Sequence, residues 1–208
     1  MFDRRTVLAG LSTAVASGTR AAAPFHITPQ EMAGPFYPEH PLPDHDFDLT
    51  RIRGHSGRAR GEVIELIGRV LMPNGAPIAH AAIEVWQANA AGRYRNPNDH
   101  NPAPLDPDFQ GYARLLSASD GSFRLLTVKP GAYPSIIGLR SPHIHFDIHS
   151  ANYRLVTQMY FAGEAHNAAD PLLSTMTARH QNPDLVVATE ASGASGLRRF
   201  QWDIVLMS

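Results

Sequence analysis

Apolar and polar residues alternate with a period of two along most of the chain, the pattern of strands that bury one face. Residues 63–72 put Ile64, Leu66, Gly68 and Val70 on one side, and Asn74-Gly75 supplies a turn before a second strand around 80–88. Similar alternations predict strands near 112–117, 122–128, 143–149 and 154–161, with Asp120-Gly121 as a hairpin turn between two of them. Phe200, Trp202, Ile204 and Leu206 alternate in a last strand that closes the core. One short helix is predicted near 170–179, with Asp170 as N-cap, Pro171 in the first turn, and Leu172, Leu173 and Met176 on its buried face. Strands at this spacing predict an all-β fold, a two-sheet β-sandwich over 61–208. The Pro-, His- and Asp-rich region 24–60 reads as an extended arm laid over that sandwich.

Composition narrows the function. At 208 residues and 43% hydrophobic, the chain suits one domain with a packed core. Net charge is −1, and residues 1–23 carry Arg4, Arg5 and Arg20 against Asp3, so their removal leaves a more acidic protein. There is no basic footprint for nucleic acid. Arg4-Arg5, the weakly apolar Ala-rich stretch after them and Ala21-Ala22-Ala23 read as a twin-arginine signal over 1–23, which predicts export to the periplasm or beyond. That stretch is too short and mild for a membrane span, which needs about 20 apolar residues. The absence of cysteine excludes disulfides, thiolate ligands and a cysteine nucleophile.

The candidate chemistry lies in His143-Ile144-His145-Phe146-Asp147-Ile148-His149. Strict alternation sends His143 and His145 to one face, about 7 Å apart, close enough to reach one ion. Alone, His-x-His also suits the wet face of a half-buried strand. Tyr94, closing Gly92-Arg93-Tyr94, and Tyr133, in Lys129-Pro130-Gly131-Ala132-Tyr133-Pro134, sit in turn-like settings where a tyrosine commonly packs its ring and leaves its hydroxyl wet.

Taken together and in order, these residues resemble the intradiol ring-cleavage dioxygenases, most nearly the beta subunits of the protocatechuate-cleaving members. The resemblance runs from about Glu62 to Gly163 through Val85-Trp86-Gln87-Ala88-Asn89, Gly92-Arg93-Tyr94-Arg95, Val128-Lys129-Pro130-Gly131, Pro142-His143-Ile144-His145-Phe146 and Thr157-Gln158-Met159-Tyr160-Phe161. It implies a transthyretin-like sandwich and a non-haem Fe(III) held by Tyr94, Tyr133, His143 and His145. It also implies Arg140 as an active-site cation, Gln158 as a pocket residue, and substrate contacts from Gly34, Pro35 and Tyr37 of the arm. Tyr133 is then the ligand that leaves the metal and acts as a base, while Tyr94 stays. Hard phenolate oxygens favour Fe(III) over softer ions, and two tyrosinates with one hydroxide make its charge zero. The implied reaction opens a catechol ring with O₂ to a muconate-type diacid, with protocatechuate or a related catechol as substrate. The implied assembly is a homo-oligomer, or a hetero-oligomer with an alpha-type subunit.

The chain departs from the protocatechuate enzymes between Tyr133 and Arg140, where it is shorter and carries Ser135 in place of a tryptophan. Two other readings use the same fold elements differently. A metal-free transthyretin-like binding module would keep the alternations but has no need for the four donors together. A cupin-like Fe(II) or Mn(II) enzyme would pair His-x-His with a nearby glutamate, and none follows His145 closely.

Overall fold

The period-two segments become strands whose buried residues meet in one core. The structure, a computed structural model, describes residues 25–192 and 196–207; the expected signal at 1–23 lies outside them. Strand β1 (Val63–Leu71) pairs antiparallel with β4 (Ser122–Val128) and parallel with β10 (Arg198–Gln201) and β11 (Ile204–Val205). Strand β2 (Ala82–Trp86) lies between β3 (Tyr112–Leu116) and β7 (His143–His149), and β7 pairs with β8 (Arg154–Phe161). Ile64, Leu66, Leu125 and Phe200 from the first group pack against Ile83, Val85, Ile144 and Phe146 from the second. Phe146 bridges the layers, its ring 6.2 Å from Phe123 and 5.2 Å from Trp202.

Among the described residues the chain is mostly β with one α-helix, but the two expected sheets are not separate. Strand β9 (Val187–Ala191) pairs antiparallel with β10 and parallel with β8, joining both groups into one nine-stranded hydrogen-bonded sheet, with β4 branching from β1, that folds around the core. Asp120-Gly121 does make a tight turn, with Gly121 at φ 77°, yet β3 and β4 do not form a hairpin. They leave the turn for different partners, β2 and β1. Tyr133, expected in a turn, lies in the short β5 (Tyr133–Ser135), which pairs with β6 (Gly138–Arg140) as a two-stranded ribbon.

Helix α1 (Pro171–His180) starts where expected: the Asp170 carboxylate accepts from the Leu172 and Leu173 amides. Leu173 and Met176 are buried, whereas Leu172 is only half-buried. The arm crosses the strands rather than joining them as a long element. It is tied by Thr28 N to Val205 O and Glu31 N to Val156 O, and by reciprocal amide-to-carbonyl bonds that pair Leu49 and Phe47 with Leu126. No helix among the described residues is long and apolar enough to cross a membrane.

Candidate metal centre

Tyr94 and Tyr133 come from two loops pressed backbone to backbone. After β2, the Asn89 side chain accepts from the Ala91 and Arg93 amides, and Asp99 accepts from the Tyr94 amide at 2.7 Å, fixing where Tyr94 leaves the turn. Gly131 N donates to Asn89 O across the gap at 3.0 Å. A Cβ on Gly131 would lie 2.5 Å from the Ala90 carbonyl oxygen, and one on Gly92 would lie 2.4 Å from that of Ala132. Gly131→Ala is therefore expected to cost about 1–3 kcal/mol and to part the two tyrosines. Denaturant unfolding checks the first effect and metal titration the second; unchanged values for both would contradict this packing.

The histidines come from β7, where Ile144, Phe146 and Ile148 enter the core and His143 and His145 face away from it. The register sets their surroundings: Trp86 of β2 stands opposite His145, while Tyr160 and Gln158 of β8 stand opposite His143 and His145. His143 Nδ1 donates to Ser141 O at 2.6 Å, which leaves Nε2 with its lone pair toward the tyrosines. His145 is held by packing instead. Its ring stacks on Trp86, 4.9 Å away and 6° from parallel, and Gly34 of the arm lies so near that a Cβ there would be 3.3 Å from Cε1.

Four donor atoms converge. The Tyr94 hydroxyl is 3.5 Å from that of Tyr133, 3.4 Å from His143 Nε2 and 3.1 Å from His145 Nε2, and the Tyr133 hydroxyl is 3.3 Å from His143 Nε2. A point central to three atoms at such spacing lies about 2 Å from each, the length of a bond from a first-row metal to N or O. The donor set therefore fits a metal ion. Its character is set by the phenols, since among the described residues no group of three or more His, Cys, Asp or Glu is placed to hold one. Burial, then the neighbouring Tyr133, pushes the Tyr94 hydroxyl well above its ordinary pKa; burial also raises Tyr133. Burial, with Arg140 nearby, keeps both imidazoles neutral by moving them well below their ordinary value. Neutral imidazole is the ligating form, and the phenol protons are the ones a bound cation displaces.

Arg140 stands directly opposite Tyr133 in the β5–β6 ribbon. Its Nε donates to Asp170 at 2.9 Å, and its Nη2 donates to Gln158 at 2.7 Å and to the Tyr160 hydroxyl at 3.1 Å. Its Nη1 donates to no protein atom among the described residues, which leaves one charged donor free for a ligand. Asp170 is wholly buried, and the carboxylate that caps α1 also accepts from the Ser141 amide at 2.8 Å, so one side chain ties helix, arginine and the start of β7 together.

Of the arm residues expected at a pocket, Gly34 lies against His145, whereas Pro35 is exposed and the Tyr37 hydroxyl donates to Glu84 at 2.6 Å with its ring edge-on to Trp86. The arm residue that covers the donors is Phe36, 4.8 Å from the Tyr94 ring and 6.3 Å from that of Tyr133. Trp86, Tyr160, Asp170 and Glu31 also belong to the surroundings that sequence reading missed. Tyr160 alone had a local signal, being two residues beyond Gln158 and so on the same face of its strand.

The β fold thus gathers two phenols and two imidazoles beside a buried guanidinium, a donor set suited to one metal ion. A family model described as "Dioxygenase" matches residues 32–208. The beta chain of protocatechuate 3,4-dioxygenase from Burkholderia cepacia is 42% identical over 159 residues, covering 74% of this chain and 68% of that one. The alpha chain of the Pseudomonas putida enzyme is 32% identical, covering 67% of this chain and 70% of its own. The dioxygenase domain of a carbohydrate-binding fusion protein from Streptomyces sp. SirexAA-E superposes with a TM-score of 0.62 at 27% identity, over 87% of this chain and 98% of that domain. The chain belongs to the intradiol ring-cleavage dioxygenases.

Proposed function

We propose that the protein cleaves a catechol-class ring between its two hydroxyl-bearing carbons, adding both atoms of O₂ to give a muconate-type diacid. The substrate is protocatechuate or another substituted catechol, and the metal is a non-haem ferric iron held by Tyr94, Tyr133, His143 and His145. The observation that carries this reading is the convergence of those donors, with the Tyr94 hydroxyl 3.1–3.5 Å from each of the other three and the Tyr133 hydroxyl 3.3 Å from His143 Nε2. Ferric iron, when bound, supplies a Lewis acid that draws electron density from a chelated catechol and opens the ring to O₂.

The remaining steps fall to the chain's own groups. Tyr133, at the base of a solvent-facing ribbon, takes a proton from the incoming catechol on its phenol oxygen, while Tyr94, deeper and pinned through Asp99, stays in place. Arg140 Nη1 faces the negative charge that builds on the ring. Phe36 and Trp86 keep water away from the donors. This chain is similar to both the alpha and the beta chains of two-chain relatives, which supports an assembly of identical copies. Export through residues 1–23 completes the proposal.

Isolated protein is expected to hold about one ferric iron per chain and to be red-brown, because a tyrosinate bound to Fe(III) absorbs visible light. Stoichiometric zinc, or colourless iron-loaded protein, would sink the metal assignment. An oxygen-uptake screen of catechol, protocatechuate, hydroxyquinol and alkyl catechols, with product identification, tests the reaction; extradiol products would overturn it.

A further inference from the structure

His143 and His145 differ in what holds the ring nitrogen that points away from the tyrosines. His145 Nδ1 is buried with no hydrogen-bond partner among the described residues, whereas His143 Nδ1 donates to the Ser141 carbonyl at 2.6 Å. Hydrogen-bond control over the far side of the imidazole pair therefore enters through one oxygen. That oxygen belongs to the peptide between Ser141 and Pro142, which has no N–H to anchor it. It also lies outside every strand, since β6 ends at Arg140 and β7 begins at His143.

Two side chains fix its direction instead. The Ser141 amide donates to Asp170 at 2.8 Å, and Ser141 Oγ donates to Asn167 Oδ1 at 2.6 Å. Asn167 opens a single 3₁₀ turn, Asn167–Ala169, and its Nδ2 donates at 2.8 Å to the carbonyl of Phe161, the last residue of β8. Its side chain thus spans from the end of β8 to the residue before β7, and both anchors, Ser141 and Phe161, are wholly buried. With the nitrogen and the side chain of Ser141 both tied, its Cα cannot turn, and the following proline confines its ψ to the extended range. The carbonyl is left with one direction, toward His143. Asp170 also serves Arg140 and the cap of α1, while the Asn167 side chain makes only these two bonds among the described residues.

We propose that Asn167 is a positioning residue for the metal centre, acting through Ser141 to fix the tautomer and tilt of His143. The inference rests on the metal reading above and deepens it. A ring held with its proton on Nδ1 turns the Nε2 lone pair to the metal. A ring free to exchange tautomers carries a proton on Nε2 part of the time, and in that state it cannot ligate. Asn167 itself makes no hydrogen bond to any of the four donors, so its influence runs through the Ser141 carbonyl.

The test cuts the strap at either end of its central bond, with Asn167→Ala and Ser141→Ala in the full chain. Iron-loaded protein is followed by its visible band and by ferric release to a chelator. Metal-free protein at neutral pH is followed by proton–nitrogen NMR of the imidazoles, which reports each tautomer without any metal. Wild-type His143 is expected as the Nδ1–H form. Each variant is expected to release iron about tenfold faster, to shift the visible band, and to show His143 as a mixture of tautomers with His145 unchanged. Adding Ser141→Ala to Asn167→Ala should change none of these further, because both substitutions remove the same bond. Ser141→Ala is the smaller change and carries the test alone if Asn167→Ala does not fold. Iron release and His143 tautomer equal to wild type in Ser141→Ala, equal changes at His145, or effects that add in the double variant overturn the part given to Asn167 and leave the four donors in place. Wild type that takes up no iron overturns the metal reading and this inference with it.

Discussion

His145→Ala is expected to yield protein that does not retain metal, whereas Tyr133→Phe retains iron and loses turnover. The two donors differ in what holds them. His145 is clamped between Trp86, stacked at 4.9 Å, and the Gly34 backbone, and its Nε2 lies 3.1 Å from the Tyr94 hydroxyl, so truncation removes a neutral donor from a tightly packed wall. No group among the described residues stands ready to replace it, because the site holds no carboxylate among its donors. Tyr133 sits in a three-residue strand of the ribbon, and its removal leaves Tyr94, His143 and His145 as they were. What Tyr133→Phe loses is the base that receives the substrate proton, a contribution on the order of 10²–10⁴ in rate. Metal analysis and the visible spectrum of both variants, with oxygen uptake for Tyr133→Phe, decide the matter; equal iron loss in the two would refute the distinction.

The parts of this site that a sequence discloses are those governed by local periodicity. His143 and His145 share a face because they are two apart in a strand whose alternate residues, Ile144, Phe146 and Ile148, are fully buried. The same logic places Ile64, Leu66 and Val70, and the run from Phe200 to Leu206, in the core. Local signals do not say which strands meet. Asp120-Gly121 has the chemistry of a hairpin turn wherever its flanking strands go, and here burial sends β3 and β4 to opposite groups. Strands β5 and β6, three residues each, are too short to show a period, so the cross-strand pairing of Tyr133 with Arg140 could not be read beforehand. Asp170 was legible as a helix cap, but its second duty toward Arg140 depends on a residue thirty positions away. The contact of Phe36 with Tyr94 depends on the path of the arm, which no periodicity encodes.

Arg140→Lys is expected to keep the iron and the fold while lowering kcat/KM by roughly 10²–10³, the range found when a preorganised donor to developing negative charge is removed. The guanidinium divides its work among three nitrogens: Nε to Asp170, Nη2 to Gln158 and Tyr160, and Nη1 left free. A lysine ammonium is a single point on a flexible stem, so it can satisfy Asp170 or reach Gln158 and Tyr160 but cannot also present a fixed donor to the ring. Arg140→Ala should behave differently, since it leaves the wholly buried Asp170 carboxylate without its cation, a loss of about 3–5 kcal/mol in stability that denaturant unfolding would register. The contrast is diagnostic: a positioned charge predicts slow turnover in the lysine variant with unfolding close to wild type, and a merely structural ion pair predicts that the lysine variant turns over normally. Near-wild-type kcat/KM for Arg140→Lys at full iron occupancy would remove Arg140 from the reaction and leave it as the strut between β6 and the cap of α1.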